Sequence, residues 1–460
     1  MTAFTRYVDK HASEFREELD EFLRIPSVST EPARAGEVER CADWLADRVK
    51  AAGVPDVEVV RTDGHPIVVG ERITDPAAPT LLIYGHYDVQ PSEPDHRWTS
   101  PPFEPTERQG RLYARGAADD KGQVHMHMKA IETRLGSGED LGVNLKLVIE
   151  GEEEVGSQNL GTFVESNADR LACDTILISD TTMFSPELPC ITTGLRGIAY
   201  MEVTVRGAAT DLHSGSYGGA VVNPANALAT IIAGLRDGAG RVTVPGFYSK
   251  VRRVTETERA GLERLPMDVE ALRSDIGAPE LGGETGFSTL ERLWYRPTLD
   301  VNGLLSGWTG EGSKTVLPAT AMAKISMRLV PDQDPEAVED AFEDRVRELA
   351  PPGVTVDVKR FHHGTPWVAN LDHPVFDAAR AALQIGFGTA PVLIREGGSI
   401  PIVPMLERTF RAPVLLVGFA LPGCNAHGPD EWLHLGVYRR GIAALATLYG
   451  EIESRLSSRG

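Results

Sequence analysis

Val143–Ser157, VNLKLVIEGEEEVGS, reads as an apolar strand that runs straight into carboxylates. Val143, Leu145, Leu147 and Ile149 alternate with Asn144, Lys146, Val148 and Glu150, the period of a strand with at least one buried face. Glu152, Glu153 and Glu154 follow almost at once. A run of glutamates is ordinarily a solvated helix face, but open α/β sheets put their chemistry at the carboxyl ends of strands. The reading therefore turns on whether other strands end in the same way.

They do. TLLIYG, Thr80–Gly85, ends in His86 with Asp88 two residues on, and TILIS, Thr175–Ser179, ends in Asp180. PVLLVGFA, Pro413–Ala420, leads through a short Pro/Gly loop to His427. ARGAADDKG adds Asp119 and Asp120 ahead of a predicted helix, Gly122–Leu135. Two imidazoles and three carboxylates gathered at strand ends suit zinc or a similar divalent metal, and this many ligands suits two ions better than one.

At 460 residues the chain is long enough for two or three domains, since single cores rarely grow past roughly 250–300 residues. The formal net charge of −20 argues against nucleic acid or an anionic membrane surface as a partner. Cys41, Cys173, Cys190 and Cys424 form no CxxC pair, which points to core positions in a reducing compartment rather than to disulfides or a thiolate metal site. No apolar run approaches about 18 residues and the N-terminus has no signal-like segment, so the expectation is a soluble, cytoplasmic protein.

Taken in order, Phe4, Val8, Phe15, Leu19, Phe22 and Leu23 recur at helical spacing up to Pro26, and a second helix is predicted over Glu37–Ala52 with Gly53 as its stop. Short strands follow at Val57–Arg61 and Ile67–Ile73. Trp98, Phe103 and several prolines between Gln90 and Gly110 mark a loop that either walls a cleft or packs on the surface. After TTGLRG, Thr192–Gly197, the texture changes to strand Ile198–Arg206, helix Pro224–Leu235, a long insertion near Gly238–Gly312, strand Ala319–Val330, helix Pro335–Leu349 and strand Val354–Phe361. This β-α-β-α-β series is that of a small two-layer α+β domain of the split βαβ kind. GTPWVANLDHP then returns the chain to a helix near Val375–Leu383 and the strand before His427, so a domain of residues 194–368 is inserted into one of residues 1–193 and 369–460. TGEGSKT lacks the ending and the preceding strand of a phosphate loop, and neither HExxH nor GxSxG occurs.

GHYDVQP, ARGAADDKG, EGEEEVGS, LISD, DLHSG, EGGSIP and the late His427 stand in an order and spacing that resembles the co-catalytic zinc metallopeptidases. That family includes carnosinases, cytosolic dipeptidases, carboxypeptidase G, acetylornithine deacetylase and succinyl-diaminopimelate desuccinylase. The resemblance covers nearly the whole chain, and PGFY at Pro245–Tyr248, KTVLP at Lys314–Pro318 and SMRLVP at Ser326–Pro331 look like the dipeptidase branch. It implies an α/β fold, a phosphorylase/hydrolase-like mixed-sheet catalytic domain with an inserted ferredoxin-like α+β lid that also forms a homodimer. It further implies two divalent ions per subunit, Zn2+ first and Mn2+ or Co2+ as alternatives.

Carried onto this chain, the resemblance makes Asp119 the bridge between two metals, with His86 and Asp180 completing one site and Glu154 and His427 the other. Three carboxylates and a bridging hydroxide then balance four positive charges. Glu153 becomes the general base, and Asp88 the acceptor that fixes the tautomer of His86. The Asp119–Asp120 peptide bond is expected to be cis. Adjacent residues of extended backbone face opposite ways, so one glutamate as ligand and one as base is the economical division. The resemblance decides which is which and implies that Glu152, where the family tolerates non-acidic residues, is turned to solvent. In the lid, His213 is implied to stabilise the oxyanion of the partner subunit's site. Arg328 is implied to clamp the substrate's terminal carboxylate, with Thr315, Gly397, Gly398 and Ser399 adding hydrogen bonds there. His125 and His127 match no ligand position and are assigned to packing, as are His11, His65, His96, His362, His363, His373 and His434. The expected reaction is hydrolysis of the peptide bond in dipeptides or similar small peptides with a free C-terminal carboxylate, the alternative being an N-acyl amino-acid deacylase.

Overall fold

The computed structural model describes residues 2–457. They form two compact units, one of residues 2–193, 369–394 and 405–457 and the other of residues 194–368 and 395–404. The segment 395–404, grouped with the first domain on sequence, packs in the second, where Arg395 pairs with Glu258 at 3.0 Å and Ser399 bonds to Arg196 and Arg328.

The first unit is built on a mixed sheet. Its neighbouring strands run Asp56–Val60, Ile67–Arg72, Asn144–Glu150, Thr80–His86, Thr175–Ile178, Val414–Leu416 and Cys190–Leu195. The four in the middle, from Asn144–Glu150 to Val414–Leu416, are mutually parallel. Their carboxyl ends therefore open on one edge, which is where His86, the Glu153–Val155 turn, Asp180 and the loop to His427 emerge. Thr80–His86 is buried along nearly its whole length, as a parallel strand covered on both faces should be.

Helices Ala3–Lys10, Ala12–Leu23, Lys121–Gly136, Val375–Phe387 and Leu435–Leu456 supply much of the covering. Lys121–Gly136 is buried on most of its surface and so carries no amphipathic signature. The helix Leu435–Leu456 comes close to it through Gly441, where a Cβ would lie 2.0 Å from Met126 Cε. The buried ammonium of Lys121 donates to the carbonyls of Ile25 at 2.6 Å and Phe22 at 3.2 Å, tying the start of this helix to the end of Ala12–Leu23.

The second unit contains a four-stranded antiparallel sheet in the order Thr298–Ser306, Thr320–Leu329, Gly197–Arg206, Thr355–Gly364. Gly197–Arg206 and Thr320–Leu329 bury alternate residues. Helices Pro224–Gly234 and Pro335–Leu349 cover that face, packing Ile231, Phe342 and Val346 on Met201, Val203, Ile325 and Met327. The chain order is thus β-α-β-β-α-β, the ferredoxin-like arrangement, with one strand more than the periodicity suggested. The extra strand, Thr298–Ser306, lies inside the insertion. It is an edge strand that leaves Val301, Leu304 and Leu305 exposed and changes register between Val301 and Gly303, so its apolar residues do not mark a core face. The remaining insertion folds as short capped helices, Glu256–Glu263, Val269–Asp275 and Thr289–Trp294.

Phe342 is fully buried between helix and sheet. Phe342→Ala should destabilise this unit by about 3–5 kcal/mol, measured as a lowered midpoint in calorimetric unfolding; an unchanged midpoint would contradict the packing described.

Candidate metal centre

His86 stands at the end of its strand with no exposed surface. Its Nε2 lies 3.1 Å from Asp119 Oδ1 and 3.9 Å from Asp180 Oδ2. Nδ1 faces acceptors alone, the Asp88 carbonyl at 3.0 Å and the Asp88 carboxylate at 3.3 Å, so the ring proton belongs on Nδ1 and Nε2 is left as the ligand atom. On the other side of Asp119, Oδ2 is 2.9 Å from His427 Nε2, which is also 3.3 Å from Glu154 Oε2. The atoms of His86, Asp119 and Asp180 lie within 4.8 Å of one another, as do those of Asp119, Glu154 and His427. Asp119 is common to both groups, and its peptide bond to Asp120 is cis.

Asp88 does more than orient His86. Its carboxylate accepts Ser29 Oγ at 2.6 Å and the backbone N–H groups of Glu153 and Glu154 at 3.2 and 3.1 Å, which fixes the turn bearing both glutamates. That turn is a 3-10 helix, Glu153–Val155, not extended chain. The two side chains part because successive residues of a 3-10 turn diverge by about 120°. Glu154 joins His427 and takes a hydrogen bond from Gln90 Nε2 at 2.7 Å, while Glu153 stands outside both ligand groups. Glu152 is buried rather than turned to solvent: it accepts the His65 N–H at 3.1 Å and the side-chain amide of Asn159 at 2.9 Å, closing the loop.

The electrostatics are those of crowded buried acids. Burial and the carboxylates of Asp119, Glu153 and Glu154 push Asp180 well above the carboxylate range, against the pull of His86. Glu153 is pushed up to about 8, first by burial and then by Glu154, Asp119 and Asp88, again against His86. Asp119 is held far below its usual range: its bonds to His427 and His86 outweigh burial. His427 is raised to about 10 by its bonds to Asp119 and Glu154. His86 is raised well above the imidazole range because Asp119 and Asp88 overcome its burial.

The donor set fits divalent metals. It mixes imidazole and carboxylate at the carboxyl ends of parallel strands, it brings repelling carboxylates together, and it leaves Glu154 Oε1 buried without a partner.

Two supporting acids escaped the sequence reading. Glu431 is fully buried, pairs with Arg115 at 2.7 Å and accepts the N–H groups of Gly116, Ala118 and Asp119, so it carries the loop that presents Asp119. It lies 312 residues along the chain from Asp119, and nothing in GPDEWLHL marks the link. Glu150, at the end of its strand, accepts Tyr84 Oη at 2.6 Å and Ser157 Oγ at 2.8 Å, and burial raises it to about 7. His125 and His127 are buried and neutral, brought down to about 4 and about 3 by burial; they bond to Tyr438 and Ser179.

The second unit holds the other sequence-predicted residues in two groups. Arg328 Nη1 donates to Ser399 Oγ at 3.0 Å, beside Gly397 and Gly398. Thr315 falls with His213 instead: His213 pairs with Val316 across a two-residue ladder, and the Thr315 carbonyl accepts the Ser214 N–H at 3.1 Å. His213 is exposed, and its Nδ1 accepts the Gly215 N–H at 3.0 Å, which leaves Nε2 to carry the ring N–H.

The model for peptidase family M20/M25/M40 matches residues 82–451. The chain belongs to that family. It is 33% identical over 462 residues to the Cys-Gly metallodipeptidase dug1 of Schizosaccharomyces pombe, covering 97% of each chain. It is 32% identical over 466 residues to the human Beta-Ala-His dipeptidase, covering 97% of this chain and 92% of the relative. Human carnosine dipeptidase 1 superposes with a TM-score of 0.84 at 32% identity, over 98% of both chains. As a member of this metallopeptidase family the chain is a hydrolase, and among the described residues no helix is long and apolar enough to cross a membrane.

Metal ligands must be deprotonated at the binding atom. Since contact with Asp119 raises the proton affinity of both His86 and His427, loading with Zn2+ should release protons and tighten as pH rises. Calorimetry in buffers of differing ionisation enthalpy measures this; a buffer-independent binding enthalpy would refute it.

Proposed function

We propose that the chain hydrolyses the peptide bond of dipeptides and similar small peptides that carry a free C-terminal carboxylate. The observation that carries this reading is the division of one carboxylate, Asp119, between two histidines, with Glu153 beside them and outside the ligand groups. The dipeptidase names of the similar proteins favour peptide cleavage over N-acyl amino-acid deacylation.

His86, Asp119 and Asp180 would hold one divalent ion and Asp119, Glu154 and His427 a second, with zinc as the native metal. Such ions lower the pKa of water to about 7 and polarise a carbonyl. Glu153 takes the proton from the attacking water and passes it to the leaving amine, a role served by a buried carboxyl whose amide is fixed by Asp88. Asp88 keeps His86 in the Nδ1–H tautomer. His213 offers Nε2–H to the developing oxyanion. Arg328, steadied by Ser399, receives the C-terminal carboxylate in its guanidinium fork, and Gly397 and Gly398 complete the polar lining, while Thr315 stands beside His213. The assembly we infer is a homodimer through the lid, in which His213 serves the neighbouring subunit. Among the described residues Cys41, Cys173, Cys190 and Cys424 form no disulfide, which fits a cytoplasmic site of action.

Glu153→Gln should reduce dipeptide turnover by at least about 100-fold, the scale of a lost general base, while elemental analysis still finds two metals per subunit. Loss of metal with Glu153→Gln and its retention with Glu154→Gln would invert the two roles.

His213→Ala should lower turnover by about 10²- to 10³-fold. Mixing it in equal amount with Glu153→Ala should restore activity toward a quarter of wild type, because half of the exchanged dimers then contain one intact site. No recovery despite demonstrated subunit exchange would place His213 in its own chain's site or outside catalysis.

A further inference from the structure

The second unit brings two guanidinium groups, Arg196 and Arg328, to a single turn. Arg196 Nε donates to the Gly397 carbonyl at 3.1 Å, Arg328 Nη1 donates to Ser399 Oγ at 3.0 Å, and Ser399 Oγ donates to the Arg196 carbonyl at 2.6 Å. The turn is shaped for this approach: a Cβ on Gly397 would lie 2.7 Å from Arg196 Nη2. A Cβ on Gly398 would meet nothing within 4 Å, so the space above the turn is open.

Both arginines are half-buried, and among the described residues neither forms an ion pair. The acid that acts electrostatically on both is Asp300, whose carboxylate is engaged by Arg236 at 3.3 Å and by Thr298 Oγ1 at 2.9 Å. Burial, then the charge of Arg328, brings Arg196 down to about 10. Two like charges drawn partly out of water beside each other are unfavourable unless an anion joins them.

If Arg328 receives the C-terminal carboxylate of the substrate in its fork, one positive charge stays unbalanced and the second guanidinium is left without an anion. A second carboxylate close to the first meets both demands. In an aspartate or glutamate at the C-terminus the two carboxylates belong to one residue, separated by a short carbon chain, as are the two guanidinium groups by one turn. We propose that Arg196 is a specificity-determining residue that binds the side-chain carboxylate of an acidic C-terminal residue. The proposal rests on the reading of Arg328 as the carboxylate clamp.

The experiment compares kcat/KM for Ala-Glu and Ala-Gln with zinc-loaded wild type, Arg196→Gln, Arg196→Lys and Arg328→Ala. Wild type should favour Ala-Glu by roughly 10- to 100-fold, the value of a charge-assisted pair. Arg196→Gln should bring that ratio close to one, and Arg196→Lys should leave an intermediate ratio, since it keeps the charge and loses the fork. Arg328→Ala should lower both peptides together relative to their C-terminal amides. Calorimetric binding of free glutamate against free glutamine gives the same ratio for any variant that folds but no longer turns over. The proposal falls if wild type does not discriminate, or if Arg196→Gln lowers both peptides equally and the ratio survives. If wild type cleaves N-acetyl amino acids and no dipeptide, the dipeptidase reading fails, and the ratio for N-acetyl-Glu over N-acetyl-Gln then decides the role of Arg196.

Discussion

The interaction on which the rest depends is the sharing of one carboxylate. Asp119 gives one oxygen to His86 and the other to His427, and each histidine also approaches another acid, Asp180 or Glu154. Like charges brought together out of water repel strongly. The centre records that cost in the raised proton affinities of Asp180 and Glu153, while Asp119 takes up the compensating imidazolium contacts. Two divalent ions would replace protons as the counter-charge, which is why the same atoms that are electrostatically awkward alone make a coherent double site.

Such a centre works only if its side chains are held from behind. Asp88 binds three groups that lie far apart in the chain, Ser29, His86 and the Glu153–Glu154 turn, so the tautomer of His86 and the direction of two glutamates depend on one buried acid. Glu431 does the corresponding work for the loop of Asp119, with Arg115 supplying its charge balance. Both acids are fully buried, Asp88 just past the strand Thr80–His86 and Glu431 just before the strand Trp432–His434.

The two units divide the chemistry by sign. The first gathers carboxylates and imidazoles that suit cations. The second gathers guanidinium groups around a glycine turn and a histidine whose Nε2 carries the ring N–H, features that suit carboxylates and developing negative charge. The net charge of −20 describes neither region, because the arginines that matter are local and half-buried.

Much of this was legible along the chain. Strand period and the residue type at each strand end sent His86, the Glu152–Glu154 run, Asp180 and His427 to one edge, with Asp119 and Asp120 ahead of a helix. Only the family resemblance singled out Asp119 and Glu154 among these acids. Motif order identified the family. Other features needed the fold. The strand Thr298–Ser306 shows no core face because it lies at a sheet edge, and only its pairing with Thr320–Leu329 reveals it. Glu152 looks like a solvated acid until Asn159 and the His65 N–H fold back onto it. The parting of Glu153 and Glu154 follows from a 3-10 turn pinned by Asp88, where local sequence suggested extended chain. Glu431 and Arg196 are single charged residues with no local pattern. The sequence by itself determined which chemical groups the protein has and the sheet edge to which they are sent. Only the tertiary structure decided which buried acids and bases hold them there, because hydrogen bonds between residues hundreds of positions apart leave no periodic trace in the chain.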